Sequence, residues 1–327
     1  MTLPALLNAV EMGIIFSIMA LGVYLTFRIL DFPDLTVDGS FVTGASIAAV
    51  LIFQGYSPIL ASIAALFAGF IAGTITGILH TKGKINNLLS GILMMIALYS
   101  INLRIMGLAD ENVTTKPNIP LLNTETIFSR VDSWAESVGF GQWGIILFMI
   151  VIVLLFKLFT DYFLKTEIGL ALRATGDNKR MIRSFSANTD GLIILGVGLS
   201  NAFVAFSGGL MAQYHEFSDI SMGIGMIVIG LASVIIGEAI FGTKTIGRTT
   251  MAVIIGSIIY RIFISFALVQ GILDASDQKL VTAIIVILAL TIPKAIEKYR
   301  DKKRKVKRQQ KMLAELKSST REGKTIA

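Results

Sequence analysis

The chain has 327 residues, 54% of them hydrophobic and 16% charged, with a mean hydropathy of +0.74. Soluble domains carry about 25% charged residues, and several runs here are long and apolar enough to cross ~30 Å of hydrocarbon, so a soluble globule is excluded. The formal net charge of +7 belongs to one end: from Lys294 onward thirteen Lys/Arg face four Asp/Glu, a net of +9, leaving about −2 for everything before. There is no cysteine and there are two well-separated histidines, His80 and His215, which argues against a disulfide framework, thiol chemistry or a metal cluster.

The expected fold class is all-α, a polytopic transmembrane helical bundle. The apolar runs are continuous, whereas barrel strands alternate. Nine hydrophobic segments are predicted in chain order, near 8–30, 37–54, 58–80, 86–108, 142–163, 190–214, 221–242, 249–270 and 279–296. The first begins within about ten residues of Met1 and lacks a basic leader or cleavage site, so it reads as a retained helix. "GFIAGTITG" places Gly69, Gly73 and Gly77 on one helical face, where a neighbouring backbone can approach closely. The stretch 109–141 is long and polar, and Pro117 and Pro120 break any helix there; Trp134 and Trp143 flank the next span as interfacial aromatics do.

Lys/Arg bias sets the orientation. The tail 297–327 is read as a basic cytoplasmic anchor at the lipid surface rather than a nucleic-acid arm. Counting back, 271–278 and 215–220 fall outside, as does 109–141, while "GTKTIGR" and "HTKGKINN" fall inside. A weak, parallel internal repeat pairs "DFPDLTVDGS" with "EFSDISMGIG", and "INNLLSGILMMIALYS" with "IGRTTMAVIIGSIIYR". The two pairings conflict over segment 37–54. If Asp31–Ser40 lies outside like its counterpart, that segment is broken or re-entrant; if it spans, the N-terminus lies outside.

The segment 165–190, "KTEIGLALRATGDNKRMIRSFSANTD", is the polar island of an apolar chain. It reads as two short helices about a Gly-Asp-Asn break on the cytoplasmic surface, either a solvated connector or a docking element for a soluble partner. Within it "GLALRATGDNKRMIRSFSANTD" resembles the cytoplasmic coupling loop of permease subunits of bacterial ABC importers, in the family serving branched-chain amino acids and ribose-type sugars. "FPDLTVDGSFVTGA", "LLSGILMMIALYSINLRIMG" and "GLASVIIGEAIFGTKTIGRT" resemble the tryptophan/tyrosine-type branch, and the likeness covers roughly residues 8–293. Glu238 interrupts the paired glycine usual in the sugar-type branch.

The resemblance implies a permease domain over 1–296 in the bacterial cytoplasmic membrane, multi-pass, with the basic tail outside it. It implies a transport subunit rather than an enzyme, with no cofactor. The implied partners are ABC ATPase subunits, an extracytoplasmic solute-binding protein and a second copy of the chain, with membrane lipids at the tail and no nucleic acid. Arg173, Ala174, Gly176, Asp177 and Asn178 match the coupling motif and carry its docking role. Physically, Gly176 would permit a sharp turn, and Asp177 or Asn178 would cap the following helix. No GxxxxGK[ST] sequence occurs, so a partner hydrolyses ATP. The implied solute is a small organic molecule, an amino acid of aromatic type. The alternative from a different class is an ion-coupled secondary transporter, whose signature would be a relay of acids deep in the spans; only Glu238 meets it, loosely.

Ionisable groups inside spans cost about 2.5–3.5 kcal/mol each on insertion scales and need a reason. Arg261 lies mid-span, either facing a cavity to attract a carboxylate or tied to buried partners. Asn102 and Asn201 are candidates to line a path or to bridge helices, as are Ser207 and Gln213. Arg104 is near an outer end and can snorkel. Glu238 is a candidate gate or structural pair, within reach of Lys244 or Arg248.

Overall fold

In the computed structural model, the described residues are 2–110, 114–122, 124–139, 141–185, 187–269 and, beyond these, 280, 283, 284 and 287. Of the ninth predicted segment, 279–296, only 280, 283, 284 and 287 are described; the loop 271–278 and the tail 297–327 lie outside the described residues. Among the described residues there are ten α-helices, eight of them in elements long and apolar enough to cross a membrane.

Helix α1 (Leu3–Val23) continues into a π-helical turn (Tyr24–Ile29), where Leu30 N–H donates to Leu25 O. Then follow α2 (Thr36–Phe53), α3 (Pro58–Thr81) and α4 (Asn87–Gly107). A short strand β1 (Asn118–Pro120) and the helix α5 (Ile127–Val138) precede α6 (Gly144–Phe163). The polar island forms α7 (Glu167–Ser184), and α8 (Thr189–His215) leads to β2 (Phe217–Asp219), α9 (Met226–Phe241) and α10 (Ile246–Val269).

Helix α8 is the central pillar. Its contacts fix the direction of its neighbours. Ser200 Oγ donates to Gly22 O (2.7 Å), Ser207 Oγ to Ile15 O (2.8 Å), and Tyr214 Oη to Glu11 Oε2 (2.7 Å), so α1 runs antiparallel to it. Asn201 meets Asp34 and Gly208 abuts Phe41, so α2 runs parallel. Gln213 Nε2 donates to Ser62 Oγ (2.8 Å) while Gly77 abuts Ile194, so α3 runs antiparallel. A Cβ on Gly69, Gly73 or Gly77 would meet Asn201, Val197 or Ile194, so the small-residue stripe of α3 is the surface on which α8 lies.

The conflict over segment 37–54 is now settled. α2 is one unbroken helix, and Asn8 and Glu11 near the start of α1 sit beside Tyr214, at the end of α8. The N-terminal end of α1 therefore shares an end of the bundle with His215. The first repeat pairing does not hold as a parallel relation: Asp31–Ser40 and Glu216–Gly225 approach from opposite ends and meet. Asp38 accepts from Gly225 N–H (2.9 Å) and Ile227 N–H (2.8 Å), capping α9. The second pairing does begin at one common end, where α4 and α10 both start.

The long polar stretch is more ordered than its composition suggested. β1 pairs with β2 in antiparallel register, Ile119 opposite Ser218. Past the prolines, a capping box between Thr126 and Ser129 starts α5. Gln213 Oε1 accepts from Ile127 N–H (3.2 Å), stapling α5 to the bundle.

Candidate functional site

The ends of the elements sort by charge. Lys82 and Lys84, the polar island and Lys244–Arg248 share one end; the start of α1, the β1–β2 pair and α5 occupy the other. By the Lys/Arg bias the first end is cytoplasmic.

At that end α7 is a helix with a break. Asn178 is non-helical (φ −155°, ψ 87°), and its side chain accepts from Met181 N–H (3.1 Å), starting the second piece. Thr166 caps the first piece through Gly169 N–H (3.2 Å). The expectation for Gly176 needs correcting. A Cβ there would collide with Ile29 O and approach Leu30, so glycine is required for α7 to press on the end of α1, not for a turn. Leu172 is fully buried and Ile182 nearly so, holding α7 on the bundle, while Arg173 and Ala174 are half-buried. Asp177, Asn178 and Arg180 face outward with Met181 and Phe185, the last 74% exposed. Arg183 fixes the exit through Asp190 (2.7 Å) and Thr189 (2.9 Å).

Glu238 pairs with Arg28 of the π-helical turn that continues α1 (3.0 Å), not with Lys244 or Arg248 as its sequence neighbourhood suggested. The reason is the direction of α9, which descends beside α1 with Gly230 against Val23.

The three path candidates occupy three different settings. Asn102 accepts from Thr43 Oγ1 (2.9 Å), donates to Gly39 O (3.2 Å), and lines a cavity of about 440 Å³ with Asp38, Gly39, Tyr99, Ser100 and Ile224. Arg261 lies over the Phe16 ring (5.0 Å), donates to Met12 Sδ (2.6 Å), and borders a cavity of about 250 Å³ with Asn8 and Ser265 between α1 and α10. Asn201 is completely buried and ties α8 to the segment just before α2: its Nδ2 donates to Asp34 Oδ2 (2.6 Å) and, within α8, to Val197 O (2.9 Å). Ser207 and Gln213 are likewise bridges, and Arg104 is exposed near the end of α4.

Sequence reasoning found no deep acids beyond Glu238, and the fold supplies several. Asp34 (2% exposed) accepts from Thr36 N–H (2.9 Å) and Asn201, and Asp38 caps α9. Asp161 is held by Lys157 (2.5 Å) and Thr250 (2.6 Å), and Glu11 by Tyr214. Each carboxylate has hydrogen-bond donors, as buried charge requires. The usable signal is "PDLTVD" at the head of an apolar segment, which the sequence reading takes into a repeat and a family resemblance but not as a source of buried acids.

Residues 5–290 match the family model described as branched-chain amino acid transport system / permease component. The tyrosine transport system permease protein of Clostridioides difficile (strain R20291) is 45% identical over 288 residues, covering 88% of this chain and 91% of that protein. The uncharacterized protein RP368 of Rickettsia prowazekii (strain Madrid E) is 35% identical, covering 88% and 96%. The galactofuranose transporter permease protein YtfT of Escherichia coli (strain K12) is 25% identical, covering 79% and 71%. Among solved structures, a metal-chelate type ABC transporter in an inward-facing conformation aligns over 89% of this chain and 84% of its own, at 17% identity and TM-score 0.47. The chain belongs to the branched-chain amino acid transport system permease family. It is a multi-pass permease subunit of an ABC transporter in the cytoplasmic membrane, a transport component and not an enzyme. The ion-coupled alternative gives way to that assignment.

Proposed function

We propose that the chain is the permease of an importer for an amino acid, tyrosine or another aromatic one, worked by ATPase subunits on the cytoplasmic face. The observation that carries the solute is the near full-length likeness to a tyrosine transport system permease. An external binding protein hands solute to the β1–β2 end, and two copies of the chain pair around the path. The cavity beside Asn102, Tyr99 and Asp38 falls within the ~300–1,000 Å³ range of small-molecule sites and belongs to that path. Arg261, in the separate cavity towards the outer end, draws the solute carboxylate; Asn201 holds helices together. Glu238 with Arg28 ties α1 to α9 at the inner end.

ATP-driven closure reaches the bundle through α7. Its buried face, Leu172 and Ile182, moves with the helices, and its outer face, Asp177, Asn178, Arg180, Met181 and Phe185, meets the ATPase. Arg173, Ala174 and Gly176 connect the two, since Gly176 presses on Ile29 at the end of α1.

The test is copurification of the ATPase and solute-stimulated hydrolysis in reconstituted vesicles. Asp177→Lys and Phe185→Ser alter exposed side chains, so the permease should remain folded while docking weakens. A loss of 2–3 kcal/mol there corresponds to roughly 30- to 150-fold in affinity. Undiminished docking in both variants would reduce α7 to a connector.

A further inference from the structure

A cavity of about 700 Å³ opens at the basic end between the end of α1, the start of α7, the end of α9 and the first turn of α10. Its charged lining is Arg28, Lys165, Arg173, Lys244, Arg248 and Glu238. Five cations therefore surround one carboxylate, and that carboxylate is already bonded to Arg28. Like charges gathered around one cavity repel, partly screened by salt, unless an anion joins them. The nearest further acid, Asp161 beside the first turn of α10, is already held by Lys157 and Thr250.

We propose that this cavity binds the phosphate of an anionic membrane phospholipid. The depth of the site favours a lipid. Its walls come from the last turn of the span Leu3–Ile29, the last turns of Ile220–Phe241 and the first turn of Ile246–Leu268, the plane in which headgroup phosphates lie. Phe27 and Ile240, next to Arg28 and two residues past Glu238, are exposed (39% and 55%) and offer apolar surface for acyl chains. The chain's own tail, at net +9, has the wrong sign to fill the cavity. The guanidinium forks of Arg173 and Arg248 suit bidentate phosphate contact, with Lys165 and Lys244 as point charges. A bound lipid would then tie α7 to α10 across the cavity, making the stiffness of the coupling segment depend on lipid charge.

Native mass spectrometry of the full-length chain in neutral detergent, with added phosphatidylglycerol, phosphatidylcholine or inorganic phosphate, tests this. Wild type should hold phosphatidylglycerol at least ten-fold more tightly than phosphatidylcholine. The double variant Lys244→Gln/Arg248→Gln should lower that preference about 10- to 30-fold, and Lys165→Gln, from another element, should lower it in the same direction. All three side chains are exposed, so melting in phosphatidylcholine should match wild type. A preference unchanged in both variants overturns the proposal. Inorganic phosphate binding as tightly as the lipid would make a free anion the ligand and sink the lipid assignment. Loss of ATPase copurification by the double variant in phosphatidylcholine alone would make the cavity a protein docking site, with the same consequence. α7 variants that lose the ATPase but keep lipid preference would leave this proposal standing.

Discussion

Helices α4 and α8 are both long enough and apolar enough to span a membrane, yet their fates differ. Of the best apolar window, 28% is buried in α4 and 67% in α8. The difference lies in side-chain size. α8 carries Gly196, Gly198, Gly208 and Gly209 with serines and alanines, and neighbouring backbones close on it from three sides. α4 carries Leu88, Leu89, Leu93 and Ile96, all exposed within the chain. Apolarity decides that a segment enters the bilayer, where lipid is as good a neighbour as leucine. Small residues decide which segment becomes the core.

That contrast can be broken most sharply at the α3–α8 contact. Gly73→Leu would drive a side chain into Val197 O and Asn201, and overpacking costs about 1–3 kcal/mol even where a core can adjust. The expected outcome is loss of monodisperse protein in detergent or a sharply lowered melting temperature. Leu93→Ala on α4, 44% exposed, should stay within about 0.5 kcal/mol of wild type. Equal effects at both positions would mean that small-residue contacts do not organise this bundle.

Asp38→Ala probes the next level. It leaves the cap of α9 unfilled and should cost about 0.5–2 kcal/mol without altering the helices, read as a lower melting temperature with unchanged circular dichroism. It should also disturb solute stimulation, because Asp38 lines the cavity with Asn102. Glu238→Gln should do less than Asp38→Ala to stability, within about 1 kcal/mol, since Arg28 is more than half exposed and water screens the pair. A larger loss there would place the pair in a drier setting than the chain alone provides.

Sidedness sharpens the comparison of the two ends. The chain has no cysteine, so single cysteines report cleanly. An impermeant thiol reagent applied from outside should label Thr2→Cys and Glu125→Cys, and spare Lys244→Cys. Labelling of Lys244→Cys together with Thr2→Cys would contradict the parallel course of α1 and α9, which sets the start of α1 and the end of α9 at opposite ends of the bundle.

Composition and periodicity by themselves determined that the chain is a helical membrane bundle, where its spans lie and which loops are basic. These follow from the cost of unpaired backbone and charge in hydrocarbon, which each segment meets alone. The glycine stripe of α3 and the break near Asn178 were legible for the same reason, being properties of a single helix. Tertiary structure decided everything that needs two segments. It chose Arg28 rather than Lys244 as the partner of Glu238, gave Gly176 to a contact with Ile29, and turned Asn201 into a bridge to Asp34. It also settled the course of α2 and brought Asp38 to the head of α9, because a carboxylate's role depends on which donors the fold carries to it, and the donors here are 187 and 189 residues away.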